Sequence, residues 1–442
     1  MEFKDLFLTP IYLLLLYALA FGIRPKVTTK LTRKYFIPAL TLKFIGAIGL
    51  GLVYQFYYGG GDTFNYFNHI KVVHKAFLDS PPIAFKIIFS NGEYDPATHN
   101  YTSWLQWYHS PTEFFVVKVG ALFSFISFNT YTVIAVFFAF LSFTGMWAMY
   151  TTFLKLYPTL YKQFAIAVFF LPSVFFWGSG LMKDSLTIGA LGWLFYGFYN
   201  VFIRKKKVFQ SALIGLLAAY VIYTVKVYVL LSFLPPAIFW VFNENSHKIK
   251  NALIRNLLKP LFIGAGLVMA YFGATRLTEG DAKYDVNNIA ERSRINNTYL
   301  TSQVTSGSVY NIGVFDGSLR SILIVGPQAI VVSLFRPFLF EVRNPLMLLS
   351  AIEGSVFIYL TILFIYKVGL LKTLKFIRSK PILIFCMIFS FVLAFAVGTN
   401  SGNFGSLVRY KIPLMPFYLS ALFIMQAHLK RPKKVARLAT TA

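Results

Sequence analysis

The chain has 442 residues, of which 57% are hydrophobic, 19% aromatic and only 13% charged, and its mean hydropathy is +0.62. Soluble domains carry roughly 25% charged residues, so this composition excludes a cytosolic enzyme on one anchor, a disordered chain, a coiled coil and a collagen-like repeat. A net charge of +26 would suggest nucleic acid in a soluble protein, and a single cysteine, Cys386, excludes a disulfide framework and any cysteine-based zinc or iron–sulfur site.

A spanning helix needs about 20 mostly apolar residues. In chain order the expected spans are 6–23, 35–57, 131–153, 164–178, 185–203, 208–225, 227–242, 260–272, 345–366, 381–397 and 413–429. Two weaker apolar runs, 114–128 and 321–335, are short and lie beside loop-like sequence. The sequence therefore predicts an all-α, polytopic transmembrane helix bundle of about eleven spans. It divides into two N-terminal spans (1–57), a first extracytoplasmic loop with interfacial helices (58–130) and a six-span bundle (131–272). A second extracytoplasmic loop (273–344) and three C-terminal spans with a basic tail (345–442) follow. No repeat of fixed period is visible, and the first apolar run lacks the basic leader and cleavage site of a signal peptide.

Position matters more than sum for charge in a membrane protein. Five basic clusters stand out: Arg24–Lys34, Arg204–Lys207, Lys248–Lys259, Lys367–Lys380 and Lys430–Arg437. All five fall in the cytoplasm only if the N-terminus is outside, the C-terminus inside, and both weak runs are re-entrant or interfacial. Most acids then lie outside, and the charge reads as a topology signal with a second use on anionic lipid headgroups. Nucleic acid is not expected as a partner.

Four polar segments are candidates for chemistry, all in outward positions. Gly59-Gly60-Gly61-Asp62-Thr63-Phe64-Asn65-Tyr66 follows the second span. Its glycines permit a tight turn and close approach of a ligand, and Asp62, Tyr66 and His69 share one helical face. A carboxylate there could deprotonate an acceptor hydroxyl or hold a divalent cation on a phosphate, or it could simply cap the helix. Pro172 to Ser185 is a short outer turn that places Lys183 and Asp184 at membrane depth, where charge is expensive unless paired or used. Lys183 could meet a phosphate with Asp184 orienting it, or Asp184 could serve only the positive end of the helix dipole.

The third segment, Leu334 to Pro345, carries Arg336, Glu341 and Arg343, and Glu353 follows about two turns into the next span. Arg forks suit phosphate or carboxylate, though these three residues could equally form a local ion-pair cluster. The fourth, Gly398 to Pro413, joins free backbone donors and Asn403 to Arg409 and Lys411, a combination suited to a lipid pyrophosphate or to snorkelling bases at a helix end. Lys226, between two spans, reads as a snorkelling residue that could join a cationic pocket if it faces outward. The six histidines show no metal-ligand spacing. No metal ligand set is assigned, no cofactor is certain, and a divalent cation stays open.

Taken together, the "GGGDTFNYF" opening of the first outer loop, "SGLMKDSL" and "LVRYKIPLMPF" resemble segments of integral-membrane glycosyltransferases of the GT-C superfamily and of bacterial polysaccharide polymerases. The resemblance implies a sugar donor carried on polyprenyl phosphate or diphosphate, with Asp62 as catalytic base or metal ligand and Lys183, Arg409 and Lys411 on phosphate. It implies a bacterial inner-membrane enzyme of cell-envelope polysaccharide synthesis, with membrane lipids and envelope-assembly proteins as further partners. Tyr66, Asp184, Arg336, Glu341, Arg343, Glu353 and Asn403 complete the expected substrate-binding set. Two other functions fit the same composition: a transporter or flippase of a lipid-linked or anionic substrate, and a non-catalytic membrane scaffold.

Overall fold

A computed structural model describes residues 2–246 and 318–429, together with positions 294–295, 298–299, 308–310, 312–313 and 316. The described chain is built from helices. In order these are α1 (Phe3–Val27), α2 (Arg33–Leu52), α3 (Asp62–Asp79), α4 (Pro81–Phe89), α5 (His99–Thr102), α6 (Pro111–Ile126), α7 (Tyr131–Leu156), α8 (Tyr161–Phe169), α9 (Pro172–Trp177), α10 (Lys183–Phe198) and α11 (Val208–Asn245). They continue as α12 (Leu319–Ile324), α13 (Gly326–Phe335), α14 (Pro345–Val368), α15 (Leu370–Arg378), α16 (Pro381–Asn400), α17 (Phe404–Tyr410) and α18 (Met415–Leu429). Among the described residues seven helices are long and apolar enough to cross a membrane, or up to eight if α17 and α18, bent by 67°, form one span. This is an integral membrane protein of the all-α, polytopic class.

The elements depart from the expected spans in identifiable ways. Residues 164–178 form two short helices, because Leu171 is extended and Pro172 starts a new helix at its first position. Residues 208–242 form one helical run interrupted only at Lys226, whose backbone is non-helical (φ −150°, ψ 72°). The run 321–335 divides between α12 and the ten-residue α13, and 114–128 falls mostly in the sixteen-residue α6. The expected span 260–272 lies outside the described residues.

Two compact units divide the chain. The first takes the described residues of Met1–Thr152, Val168–Leu231 and Val408–Pro413; the second takes those of Phe153–Ala167, Ser232–Leu407 and Leu414 onward. These boundaries interleave along the chain.

In the first unit, α2 packs on α9 and α3 packs on α4 and α6. Lipid chains are as apolar as Leu, so helices inside a membrane associate through close packing of small residues. Here α7 meets α10 through glycines: a Cβ on Gly145 would strike the Gly189 carbonyl, and one on Gly192 would strike the Gly145 carbonyl. Outside the spans, α3 is tied to α7 by the Thr63 and Tyr131 hydroxyls, 2.8 Å apart, and by Phe64 stacked on Tyr131 at 4.5 Å.

In the second unit, α13 crosses α16 where Gly398 lies against the Ala329 carbonyl and the Ser333 hydroxyl donates to Ala394 O at 2.7 Å. There α14 packs on α18 through the Thr361 and Tyr418 hydroxyls, 2.9 Å apart.

Candidate functional site

The polar centre of the first unit begins at the end of α2. The chain leaves α2 through a π-turn, Val53–Tyr57, and then reverses over Gly59, Gly60 and Gly61, all with positive φ (70°, 140° and 122°). Only glycine adopts such backbone without strain. At Gly61 there is also no room, since a Cβ would lie 2.9 Å from the Tyr54 ring. The Gly60 N–H donates to Tyr54 O at 2.8 Å. Gly61 is thus the N-cap, and Asp62 is the first helical residue of α3. Its carboxylate is free of capping duty and reaches across to another segment.

That segment is the end of α17, just before the last described span. Arg409 Nη2 lies 2.9 Å from Asp62 Oδ2, Nη1 donates to the Tyr54 hydroxyl at 3.2 Å, and the guanidinium sits 5.9 Å above the Trp177 ring. On its other side Arg409 Nε is 3.5 Å from Asp184 Oδ2. Asp184 Oδ1 in turn accepts from Lys226 Nζ. The charges therefore alternate along a chain Asp62–Arg409–Asp184–Lys226, which runs from a half-exposed carboxylate into the interior: Asp62 is 49% exposed, Arg409 19%, Asp184 1% and Lys226 6%.

Each link has a local cause. Asp184 occupies the first turn of α10, where the helix dipole favours a carboxylate. Lys226 stands at the one break in α11, and its ammonium also lies 4.9 Å from the centre of the Tyr410 ring. A buried ion pair persists only with good geometry and further partners. Asp184 Oδ2 and Arg409 Nε face each other at 3.5 Å, too long for a good hydrogen bond, and among the described residues neither buried atom has another hydrogen-bond partner.

A second pair adjoins α3. Lys183 Nζ pairs with Glu113 and donates to the Thr112 hydroxyl at 3.1 Å, while Glu113 also accepts from Ser110 and Thr112. The expected partnership of Lys183 with Asp184 is not the one found, because successive helical residues point about 100° apart.

Tyr66 is buried between these groups and packs on Trp107, as does His69, each ring 4.8 Å away. The shared face of Tyr66 and His69 is therefore observed. Burial pushes the Tyr66 phenol well above its ordinary value, the Glu113 and Asp62 carboxylates add to this, and Arg409 opposes it. It is a neutral hydroxyl at any physiological pH. Burial lowers His69, so its imidazole is held neutral.

The structure brings together Asp62, Tyr66, Lys183, Asp184 and Arg409 from the expected set. Lys411 is buried in the same unit. Arg336, Glu341, Arg343, Glu353 and Asn403 belong to the second unit. There Arg336 is bound bidentate by Glu341 and lies over the rings of Tyr310, Phe338 and Phe404 at 5.5, 5.9 and 5.3 Å. Arg343 is exposed outside that pair, and Glu353 is buried in α14. The Asn403 side chain accepts from Ser406 N–H at 2.9 Å and holds the start of α17. Among the described residues no group of three or more His, Cys, Asp and Glu is placed to hold a metal ion.

Tyr54, Glu113 and Lys226 complete the site without having been assigned to it from sequence. Lys43, in the middle of α2, went unnoticed altogether. It is fully buried and donates to the Gly178 carbonyl, which also accepts from Ser142 at 2.9 Å. A hydropathy average over α2 conceals a lysine that stands alone in the apolar middle of the helix. No protein-family model, curated protein or solved structure matches the chain.

Proposed function

We propose that the protein is a membrane glycosyltransferase or polysaccharide polymerase that takes sugar from a polyprenyl phosphate or diphosphate carrier at the extracytoplasmic face. One observation carries this reading: a half-exposed carboxylate, Asp62, is held by an arginine whose far side is fixed by the buried Asp184–Lys226 pair. Asp62 can swing into solvent, whereas Arg409 stays in place. An incoming donor phosphate would replace the carboxylate on the guanidinium, a bidentate partner for either anion. Released beside the donor, Asp62 would accept the proton of the acceptor hydroxyl. The acceptor oxygen bonds to the anomeric carbon as the carbon–oxygen bond to phosphate breaks, and the electron pair leaves on the phosphate, where Arg409 meets the charge. Tyr66, a neutral donor beside Asp62, would orient the acceptor or the leaving oxygen.

Outward orientation of the site is supported by the distribution of bases. The ends of α2 and α10 nearer the site are Tyr54 and Asp184. Their other ends carry Arg33 and Lys34, and Arg204 to Lys207, which the positive-inside tendency puts in the cytoplasm.

A transporter is favoured over the enzyme by a single feature, the break in α11 at a buried ion pair, since transporters bind substrates at discontinuous helices. Proteoliposomes carrying a fluorescent polyprenyl-diphosphate-linked sugar and an acceptor glycan separate the two. The enzyme produces a longer glycan and free polyprenyl diphosphate. Movement of intact donor between leaflets without a new glycosidic bond would establish the transporter instead.

A further inference from the structure

The second unit carries an apolar groove and a basic helix that the reading above does not use. The groove, of about 450 Å³, runs along one face of α14 and is lined by Ser355, Ile358, Tyr359, Ile362, Leu363 and Tyr366. Spaced at three and four residues, these side chains form a stripe almost three turns long. Beyond Tyr366 the chain turns at Gly369 (φ 84°) into α15.

Three sectors divide α15. Thr373 is buried, and Phe376 stacks on His428 at 4.2 Å, so one side is docked. A second side exposes Leu370, Leu371 and Leu374 at 58%, 82% and 45%. The third carries Lys372 and Lys375, with Arg378 at its edge; Lys367 and Lys380 flank the helix, and all five bases are exposed. No ion pair with an acid forms at any of the five among the described residues. None could come from the neighbouring sequence either, because no Asp or Glu occurs after Glu353.

We infer that α14 and α15 form a binding site for one anionic phospholipid, its acyl chain in the α14 groove and its phosphate headgroup on the bases around Gly369. The helix lies between α14 and α16, both long enough to cross a membrane, so it sits at a membrane boundary. There its leucines enter the acyl region while its bases face headgroups. Five cations without local acids ask for negative charge, and an anionic leaflet supplies it. A zwitterionic lipid would fill the groove equally well but leave the bases uncompensated.

The test is native mass spectrometry of the full-length protein, delipidated and then titrated with phosphatidylglycerol or phosphatidylcholine of identical acyl chains. The expected result is retention of one phosphatidylglycerol at roughly tenfold lower concentration than phosphatidylcholine. Lys367→Gln/Lys372→Gln/Lys375→Gln should abolish the preference, and the matching triple Arg variant should keep it, which separates charge from folding. Ile362→Trp, which fills the groove and leaves every base in place, should weaken binding of both lipids. Equal retention of the two lipids, or a preference unchanged in the Gln variant, would overturn the inference. So would retention of polyprenyl phosphate with no retention of phosphatidylglycerol, since the site would then serve the carrier and not the leaflet.

Discussion

Asp184 is the residue on which the ionic chain turns, because it alone touches both a buried ammonium and the guanidinium that holds Asp62. Removing one partner of a buried pair leaves an uncompensated charge and costs about 3–5 kcal/mol. Asp184→Asn should therefore lower the thermal midpoint of the detergent-solubilised protein strongly, while Asp184→Asn/Lys226→Met, which removes both charges of the innermost pair, should recover most of the loss. Lys43 offers the opposite case. Its ammonium meets a carbonyl that Ser142 already satisfies, and an apolar chain of similar length suits a membrane interior. Lys43→Met should change stability by no more than about 1 kcal/mol in either direction. A loss as large as that of Asp184→Asn would show that the lysine has an anionic partner in the membrane.

Among the helices, the crossing of α7 and α10 depends on absent side chains. Any side chain at Gly145 would have to displace the backbone of α10 at Gly189, so Gly145→Leu should destabilise by several kcal/mol, as overpacking against backbone does. Because Asp184 lies in the first turn of α10, this substitution should also disturb the ionic chain. α3 responds to pH in part through His69, whose buried Nδ1 has no hydrogen-bond partner among the described residues. The folded imidazole takes a proton less readily than the ordinary value of about 6.5. Stability is then fully present above that value and is lost as pH falls below it and through the lowered folded value, because the unfolded chain binds a proton that the folded chain resists. Thermal melts between neutral and mildly acid pH should show this decline in the native protein, and a His69→Phe variant should show less of it, the remainder coming from His74 on the same helix, which burial also lowers.

Across the whole molecule, the long apolar helices and the triple-glycine turn could be read from the sequence, and Asp62 and Arg409 could be singled out as charged residues beside spans, because each has a local signature. Composition gives the spans, consecutive glycines give a turn with positive φ, and charged residues at span ends mark themselves by their cost. Pairings could not be read in this way. Glu113 meets Lys183 from 70 positions away and Asp184 meets Lys226 from 42, and no spacing rule connects such residues. Lys226 reads as a snorkelling residue because a hydropathy reading ends one span before it and begins another after it, whereas the structure carries helix through the break and buries the lysine against Asp184. Assigning Arg336 to phosphate rested on guanidinium chemistry in general, and in the structure that chemistry is directed to Glu341 and three aromatic rings.

In the function proposed above, Asp62 and donor phosphate exchange on Arg409, so that one carboxylate would be both the resting partner of the arginine and the base. The most direct measurement compares wild type with Asp62→Asn, shown to be folded by an unchanged melting profile, for both polyprenyl phosphate binding and sugar transfer. The account predicts a transfer rate lower by roughly 10²–10⁴-fold with polyprenyl phosphate bound as tightly as before or more tightly, because Arg409 no longer has to release a carboxylate. Transfer at the wild-type rate, or loss of phosphate binding in the folded variant, would contradict it.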